Sequence, residues 1–348
     1  MRKFWSLVAL LGLLVVLVLA ACGGDGETAG DEAGNDDVAE EVEADEDTDA
    51  DTDTGDAAES DGDKYKIGML APAVTHGWVA AVAYHVEERA KELSDEIDYQ
   101  IQTSSDAAEM VSQLDDLMTW GADAIVAFPQ WEGMEPAIQS ALDAGIEVVN
   151  FDIEIDVDGV YRVAGDNKDM GIQGAHYVVD KVGTEGNVVL LEVPSAGSVS
   201  ELRKSGFMET IEEIAPDMEI QTYATEFTRE AGLSDFADIL TANDHIDVVF
   251  SLDDETSVGV LQAIREAGRD DIQVITGGGG MQEYFNMMPE NDDIWLQSAL
   301  YSPAMVKDAL DVAIQVLKGE DVEMHTIIPT TIVDRDNYEE FLDSDSPY

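Results

Sequence analysis

From residue 64 onward, short apolar runs rich in β-branched residues alternate with longer stretches in which apolar positions recur every three to four residues. Tyr65-Lys66-Ile67-Gly68-Met69-Leu70 predicts a strand and 77–93 a helix. Strands over 99–103, 124–128, 147–151 and a short one at 162–164 follow, with helices over 107–120, 134–144 and 168–182. A second series has strands over 187–193, 220–224, 248–251, 272–276 and 296–300. Its helices fall at 200–214, 231–241, 256–267, 281–288 and 302–317. Continuous apolar strands of this kind are buried on both faces, with helices crossing between them. Two such series predict an α/β protein of two doubly wound parallel-sheet lobes. Three crossings, near Gly165, Tyr301 and Thr330, form the hinge. The lobes then comprise 64–165 plus 302–330, and 166–301 plus 331–348. Gly121, Gly145 and Gly268 stand just past predicted helices, where a left-handed cap is expected.

The first 63 residues follow neither pattern. Arg2 and Lys3 precede an apolar run over 7–21 broken only by Gly12, shorter than the roughly 20 residues of a comfortable membrane span. The run ends in Leu19-Ala20-Ala21-Cys22, which resembles the lipobox of bacterial lipoproteins. That resemblance implies a signal peptide over 1–21, cleaved before Cys22, with the lipid attached to Cys22. The bland alternative is a simple signal peptide or uncleaved anchor with an incidental cysteine. Against it, the chain has one cysteine, and it falls where lipidation needs it. A lone cysteine also excludes an intrachain disulfide. No Arg-Arg pair marks the twin-arginine route, so general secretory export is expected. Residues 25–63 are Asp, Glu, Ala, Gly and Thr in the main, without Lys or Arg. Such a segment cannot offset its ordering entropy, so 22–63 reads as an acidic, disordered tether.

Charge narrows the partners. The chain carries 76 acidic and 17 basic residues, a net charge of −59. Residues 1–63 hold 19 acidic and 2 basic, which leaves 57 against 15, a net of −42, on the folded part. Phosphate contacts need Lys and Arg, so nucleic acid is excluded as a partner. Self-repulsion of this size points to a halophilic or halotolerant source, with stability that falls as salt is removed.

Ligands of open parallel sheets bind beyond the carboxyl ends of the strands. In the first lobe those tips carry His76-Gly77-Trp78, Pro129-Gln130-Trp131 and Asp152-Ile153-Glu154. In the second they carry 194–198, Phe227-Thr228-Arg229, Leu252-Asp253-Asp254-Glu255 and the glycines 277–280. Aromatic faces cover the C–H face of a sugar ring, and carboxylates accept its hydroxyl protons, so the mixture suits a neutral polyhydroxylated ligand.

Over nearly all of 64–348 the chain resembles the type I periplasmic binding proteins of the ribose and galactose class. Carrying the resemblance are the first-strand loop through Trp78, Val148-Val149-Asn150-Phe151-Asp152, Arg203-Lys204-Ser205-Gly206-Phe207, Val249-Phe250-Ser251-Leu252-Asp253-Asp254 and the tail 331–338. It implies that His76 is a hydrogen-bonding position, Trp78 and Phe227 are opposed stacking aromatics, and Asp152 and Arg203 bond sugar oxygens. Departures are Ile153 for an arginine, Asp253 for an asparagine, Gly278 for a second aspartate, and Leu300 or Tyr301 for a glutamine. Trp131 has no family counterpart and is a candidate from its loop alone. The changed polar set argues against plain ribose and leaves pentoses, hexoses, polyols and cyclitols open. Each residue has a structural competitor. Asp152 is also a potential cap, Arg203 a partner for Glu201, and Trp78 and Phe227 core aromatics. Asp253-Asp254 is also readable as a solvated pair, of which only Asp253 is assigned to the site.

The glycines 277–280 lack the Lys-Ser/Thr ending of a phosphate loop and the spacing of a dinucleotide fingerprint. They read as a flexible loop with room for one side of a bulky ligand. The five histidines show no paired metal spacing, and no G-x-S-x-G elbow is present. No metal, cofactor or catalysis is expected. The resemblance implies a monomeric, lipid-anchored solute-binding component of an ABC transporter, outside the cell or in the periplasm. It would close its hinge on a monosaccharide, polyol or cyclitol and present the closed form to a membrane permease. The alternatives are a ligand-presenting receptor for a membrane sensor, or a binder of a non-sugar signalling molecule. An enzyme on the same scaffold lacks its motifs, and a transcription regulator would need a basic helix-turn-helix where this chain is acidic.

Overall fold

A computed structural model describes residues 64–74 and 76–348. The signal peptide, Cys22 and the acidic tether lie outside the described residues. Each of the two sheets has six strands. The first contains β1 (Tyr65–Pro72), β2 (Ile97–Ser104), β3 (Ala124–Ala127), β4 (Glu147–Phe151), β5 (Tyr161–Gly165) and, from late in the chain, β11 (His325–Ile328), in the order β11-β5-β4-β3-β1-β2. All its pairings are parallel. The second contains β6 (Glu185–Glu192), β7 (Asp217–Ala224), β8 (Val248–Phe250), β9 (Val274–Gly278), β10 (Trp295–Ala299) and β12 (Ile332–Val333), in the order β12-β10-β9-β8-β6-β7.

The period of two along each strand sorts the helices to opposite faces. In β1, Ile67 and Met69 join the cluster of α1 (Gly77–Glu92) and α9 (Val306–Leu317). Leu70, on the other face, meets α2 (Ala107–Trp120) and α3 (Glu135–Asp143). In β6, Val188 and Leu190 pack with α4 (Asn167–Val182) and α5 (Ser198–Ile214). Val189 and Leu191 face α6 (Arg229–Ala242), α7 (Asp254–Ala267) and α8 (Gln282–Met287). The helices start where side-chain acceptors allow. Asp106, Asp166, Thr228 and Asp253 each accept a first-turn backbone N–H. Gly121 and Gly268 close α2 and α7 in the left-handed region, and Gly145 adopts φ 83° one residue beyond the cap of α3.

The doubly wound, two-sheet architecture follows the sequence pattern, with two differences at the edges. No strand is predicted between 317 and 331, yet β11 pairs there with β5. Its side chains are exposed or half-buried, so it has no apolar run to mark it. And β12 pairs antiparallel with β10, so the second sheet is not wholly parallel.

Three segments pass from one sheet to the other: between β5 and α4, after β10, and between β11 and β12. They are bonded to one another. Leu300 N–H donates to Thr331 O (2.8 Å), Thr330 Oγ1 to Asp166 O (3.3 Å) and Asn167 Nδ2 to Tyr301 Oη (3.3 Å). Gly165 leaves room for this arrangement. A Cβ there would lie 2.3 Å from the Tyr301 ring, closer than any real contact.

Candidate functional site

A cavity of about 450 Å³ lies where the carboxyl ends of the two sheets face each other. His76 reaches it from the β1–α1 turn, Trp78 from the first turn of α1, Trp131 from the β3–α3 loop and Asp152 from the end of β4. From the second lobe come Arg203 on α5, Phe227 before α6, Asp253 before α7 and Gly278 at the end of β9. Tyr301, on the second crossing, completes the set, so all nine sequence-assigned residues line one space. Leu300 is not among its lining residues, which places Tyr301 at the alternative position.

Asp152 stands out on its backbone alone. It has φ 65° and is the one non-glycine residue with positive φ among the described residues. A left-handed conformation at a non-glycine residue costs free energy and persists where surrounding structure enforces it. The enforcing contacts are Asp152 N–H to Val163 O (2.9 Å) and Arg162 Nη2 to Asp152 O (3.0 Å). Burial raises the carboxyl pKa, opposed by the hydrogen bond that Tyr301 Oη donates to Oδ1 and by Arg203. Oδ2 has no partner among the described residues, so one acceptor stays available.

Arg203 is buried and pairs with no carboxylate within salt-bridge distance among the described residues, contrary to the Glu201 alternative. Its Nε donates to Asn167 Oδ1 (2.8 Å) and its Nη1 to Leu252 O (2.8 Å). The guanidinium also lies 4.9 Å from the Tyr301 ring centre and 6.0 Å from that of Phe227. Close helix packing makes the Asn167 bond possible, since Cβ atoms on Gly171 and Gly206 would meet the facing backbone at 2.1 and 2.2 Å. Asp152, Tyr301, Asn167 and Arg203 thus form one chain of bonds across the crossings.

His76 packs edge-on to Phe227, with ring centres 6.3 Å apart. Burial, and secondarily Arg203, lowers its pKa to about 4. At neutral pH it is therefore an uncharged imidazole, offering one donor and one acceptor. Trp78 is more a core residue than a free stacking face. It stacks on Phe151 (6.2 Å, 9°), meets Phe128 edge-on (6.0 Å), and gives its indole N–H to Tyr301 O (2.7 Å). Trp131 is half-buried against the cluster of α2 and α3.

The run 253–255 divides three tasks between adjacent carboxylates. Asp253 caps α7 through Thr256 and Glu255 N–H and also faces the cavity. Asp254 is fully buried, which corrects its reading as solvated. Its Oδ2 accepts from Gly280 N–H (2.9 Å), Met281 N–H (2.9 Å) and Ser298 Oγ (2.7 Å). Glu255 reaches the other lobe and accepts Gly77 N–H at 2.7 Å. The glycine loop is therefore pinned rather than flexible, with its 280–281 amides committed to Asp254 and Gly279 N–H to Ala299 O. Nor does Gly278 leave open room, since a Cβ there would lie 2.5 Å from Met170 Cε.

Burial raises Asp253 to about 7 and Asp254 to about 6. A carboxyl whose pKa is higher in the fold favours the protonated folded state. Its contribution is greatest below the unfolded value of 3.8 and is lost as pH rises through the folded one. Asp253→Asn keeps the cap, because Asn and Asp serve equally there, and removes the buried charge. It should raise the melting temperature at pH 8 and have little effect near pH 4, as measured by calorimetry. An unchanged difference across that range would mean that Asp253 carries no such burden.

Asn167, Tyr348 and Gln130 also contribute, and none was singled out as a site residue from sequence. Asn167 looks like an ordinary first helical residue, and Tyr348 is 196 positions from Asp152 along the chain. Gln130 lines the cavity from the loop that supplied Trp131 and was legible there. Among the described residues no group of three or more His, Cys, Asp or Glu side chains is placed to hold a metal ion.

Residues 67–321 match the family described as periplasmic binding protein domain, and the chain belongs to that family. Its relatives include the xylitol-binding protein of Mycolicibacterium smegmatis, 27% identical over 239 residues, 67% of each chain. The ribose import binding protein of Bacillus subtilis is 28% identical over 211 residues, 60% of this chain and 68% of that one. The crystal structure of a galactofuranose binding protein superposes with a TM-score of 0.73 at 26% identity, covering 82% of this chain and all of that one.

Proposed function

We propose that this protein is the solute-binding component of an ABC transporter and captures a small polyhydroxylated ligand, a monosaccharide, polyol or cyclitol, between its lobes. The observation that carries this reading is the convergence of both sheets' loop tips on one cavity of about 450 Å³. That volume lies within the usual range for small-molecule sites. Its walls combine aromatic rings, Phe227 and Tyr301 among them, with polar atoms that have no protein partner among the described residues, namely Asp152 Oδ2, the His76 ring nitrogens and Arg203 Nη2. Apolar ring faces and hydroxyls would be met together. The crossings supply a hinge, and the Glu255–Gly77 bond is one contact that opening would break.

Calorimetric titration of residues 64–348 in molar NaCl with D-ribose, D-allose, xylitol, myo-inositol and galactose tests the reading. Micromolar or tighter binding of at least one is expected, with the ligand recovered chemically unchanged. Turnover would make the protein an enzyme, and heatless titrations throughout would remove the polyol class. The relatives are binding proteins by name, and capture requires no covalent step.

We extend the proposal to the amino-terminal segment: Leu19-Ala20-Ala21-Cys22 directs cleavage and lipidation at Cys22, and the acidic residues after it tether the domain. Among the described residues no helix is long and apolar enough to cross a membrane. A single acyl chain holds only marginally, whereas the diacylglyceryl group of lipoproteins is a stable anchor. Cys22→Ser should abolish fatty-acid labelling in cells; a variant that still labels would place the anchor elsewhere.

A further inference from the structure

Tyr348 is buried and lines two spaces at once. One is the ligand cavity, and the other is a recess of about 360 Å³ bounded by Gly77, Glu255, Met281 and Gln282. Its ring reaches both lobes. A Cβ on Gly77, at the start of α1, would lie 3.2 Å from Tyr348 Cδ2, and one on Gly279, after β9, 2.8 Å from Tyr348 Oη. Missing side chains at these two glycines make the slot that the phenol fills.

The segment is held in place by one residue of α8. Gln282 donates from its backbone N–H to Tyr348 O (3.2 Å) and from Nε2 to Phe341 O (3.2 Å), and its Oε1 accepts Asp343 N–H (2.7 Å). The phenol hydroxyl, by contrast, has no hydrogen-bond partner among the described residues and keeps some exposure, which leaves it accessible from the spaces the ring lines. Burial and the nearby acids 253–255 keep it protonated, so it remains a donor.

We propose that Tyr348 is a specificity-determining ligand contact, whose hydroxyl donates to a ligand oxygen and whose ring walls off the recess and so limits ligand length. The proposal rests on the polyol reading of the cavity.

The test compares wild type, Tyr348→Phe and Tyr348→Ala by calorimetry, with the five monomeric probes above and the disaccharide maltose. Phenylalanine keeps the wall and should weaken the best monomer three- to tenfold. Alanine should weaken it more than tenfold and narrow the preference for monomer over maltose by at least tenfold. Wild-type affinity and discrimination in both variants would overturn the proposal, even with a lowered melting temperature, because that pattern belongs to packing alone. A crystal structure of Tyr348→Ala supplies a ligand-independent arm. Cavity and recess should merge into one space, and two separate spaces would overturn the wall. If wild type binds none of the probes, the polyol reading fails, and this arm still decides whether Tyr348 is the partition.

Discussion

Replacing Asp152 by asparagine is expected to lower affinity for the polyol about a hundredfold while leaving the melting temperature unchanged or higher. A hundredfold corresponds to about 2.7 kcal/mol, near the top of the range for hydrogen bonds to a charged group. Asparagine keeps the volume, tolerates the left-handed backbone at φ 65°, and accepts the Tyr301 hydroxyl through its own oxygen. What it removes is the negative charge behind Oδ2, the acceptor left free toward the cavity. That charge is a burden on the fold, because burial raises the Asp152 pKa. The raised value means that wild type loses stability relative to the variant as pH climbs from the unfolded value of 3.8 through the folded one. Asparagine should therefore be neutral to stability at pH 4 and favourable at pH 8, the usual sign of a residue kept for binding at some cost to the fold. Titration calorimetry and thermal unfolding on the same samples check both halves. Undiminished affinity would take Asp152 out of the site, and a large drop in melting temperature would make it a structural residue.

Legibility of the fold tracked burial. Strands buried on both faces, such as β4 and β8, announce themselves as apolar runs, and their bounds agree within a residue or so with the sequence reading. The edge strand β11 does not, since half its positions are exposed and each of its residues pairs with a β5 residue 163 positions earlier in the chain. The residues that line the cavity are legible for a topological reason: loop tips after parallel strands must face the cleft, whatever side chains they carry. Roles were less legible than places. Asp253 and Asp254 are neighbours of identical type, yet one caps a helix beside the cavity and the other pins a loop, which only the surrounding amides decide. The glycines 277–280 read as spare room, but room in a folded protein is filled from elsewhere in the chain, here by Met170 and Tyr348. No local pattern around Tyr348 or Asn167 carries that information.

The second large effect concerns salt. Between 0.1 and 2 M NaCl the melting temperature of residues 64–348 should rise by about 10 °C or more. The folded part has 57 acidic and 15 basic residues. Eleven of the fifteen (Lys64, Arg89, Lys91, Arg162, Lys168, Lys181, Lys204, Arg229, Arg265, Arg269 and Lys318) already lie within 4.0 Å of a carboxylate. Two of the remainder are also committed: Arg203 to the cleft, and Arg335 to the Asn291, Asp292 and Ile294 carbonyls just before β10 and to the Trp295 ring, which Lys181 covers too. Most carboxylates therefore have no cation from the protein to face, and their repulsion acts on the compact state more than on the expanded one. Screening must come from solution. The Debye length falls from about 10 Å at 0.1 M to about 3 Å at 1 M, so repulsion between neighbouring surface carboxylates is relieved only toward molar salt. The rise should consequently continue past 0.1 M and flatten above 1 M. Exclusion of cosolute from the surface would also stabilise the fold, and trimethylamine N-oxide, an uncharged osmolyte, separates the two causes. If equimolar osmolyte reproduced the whole rise, or if salt had no effect across this range, charge repulsion would not be what limits the stability of this domain.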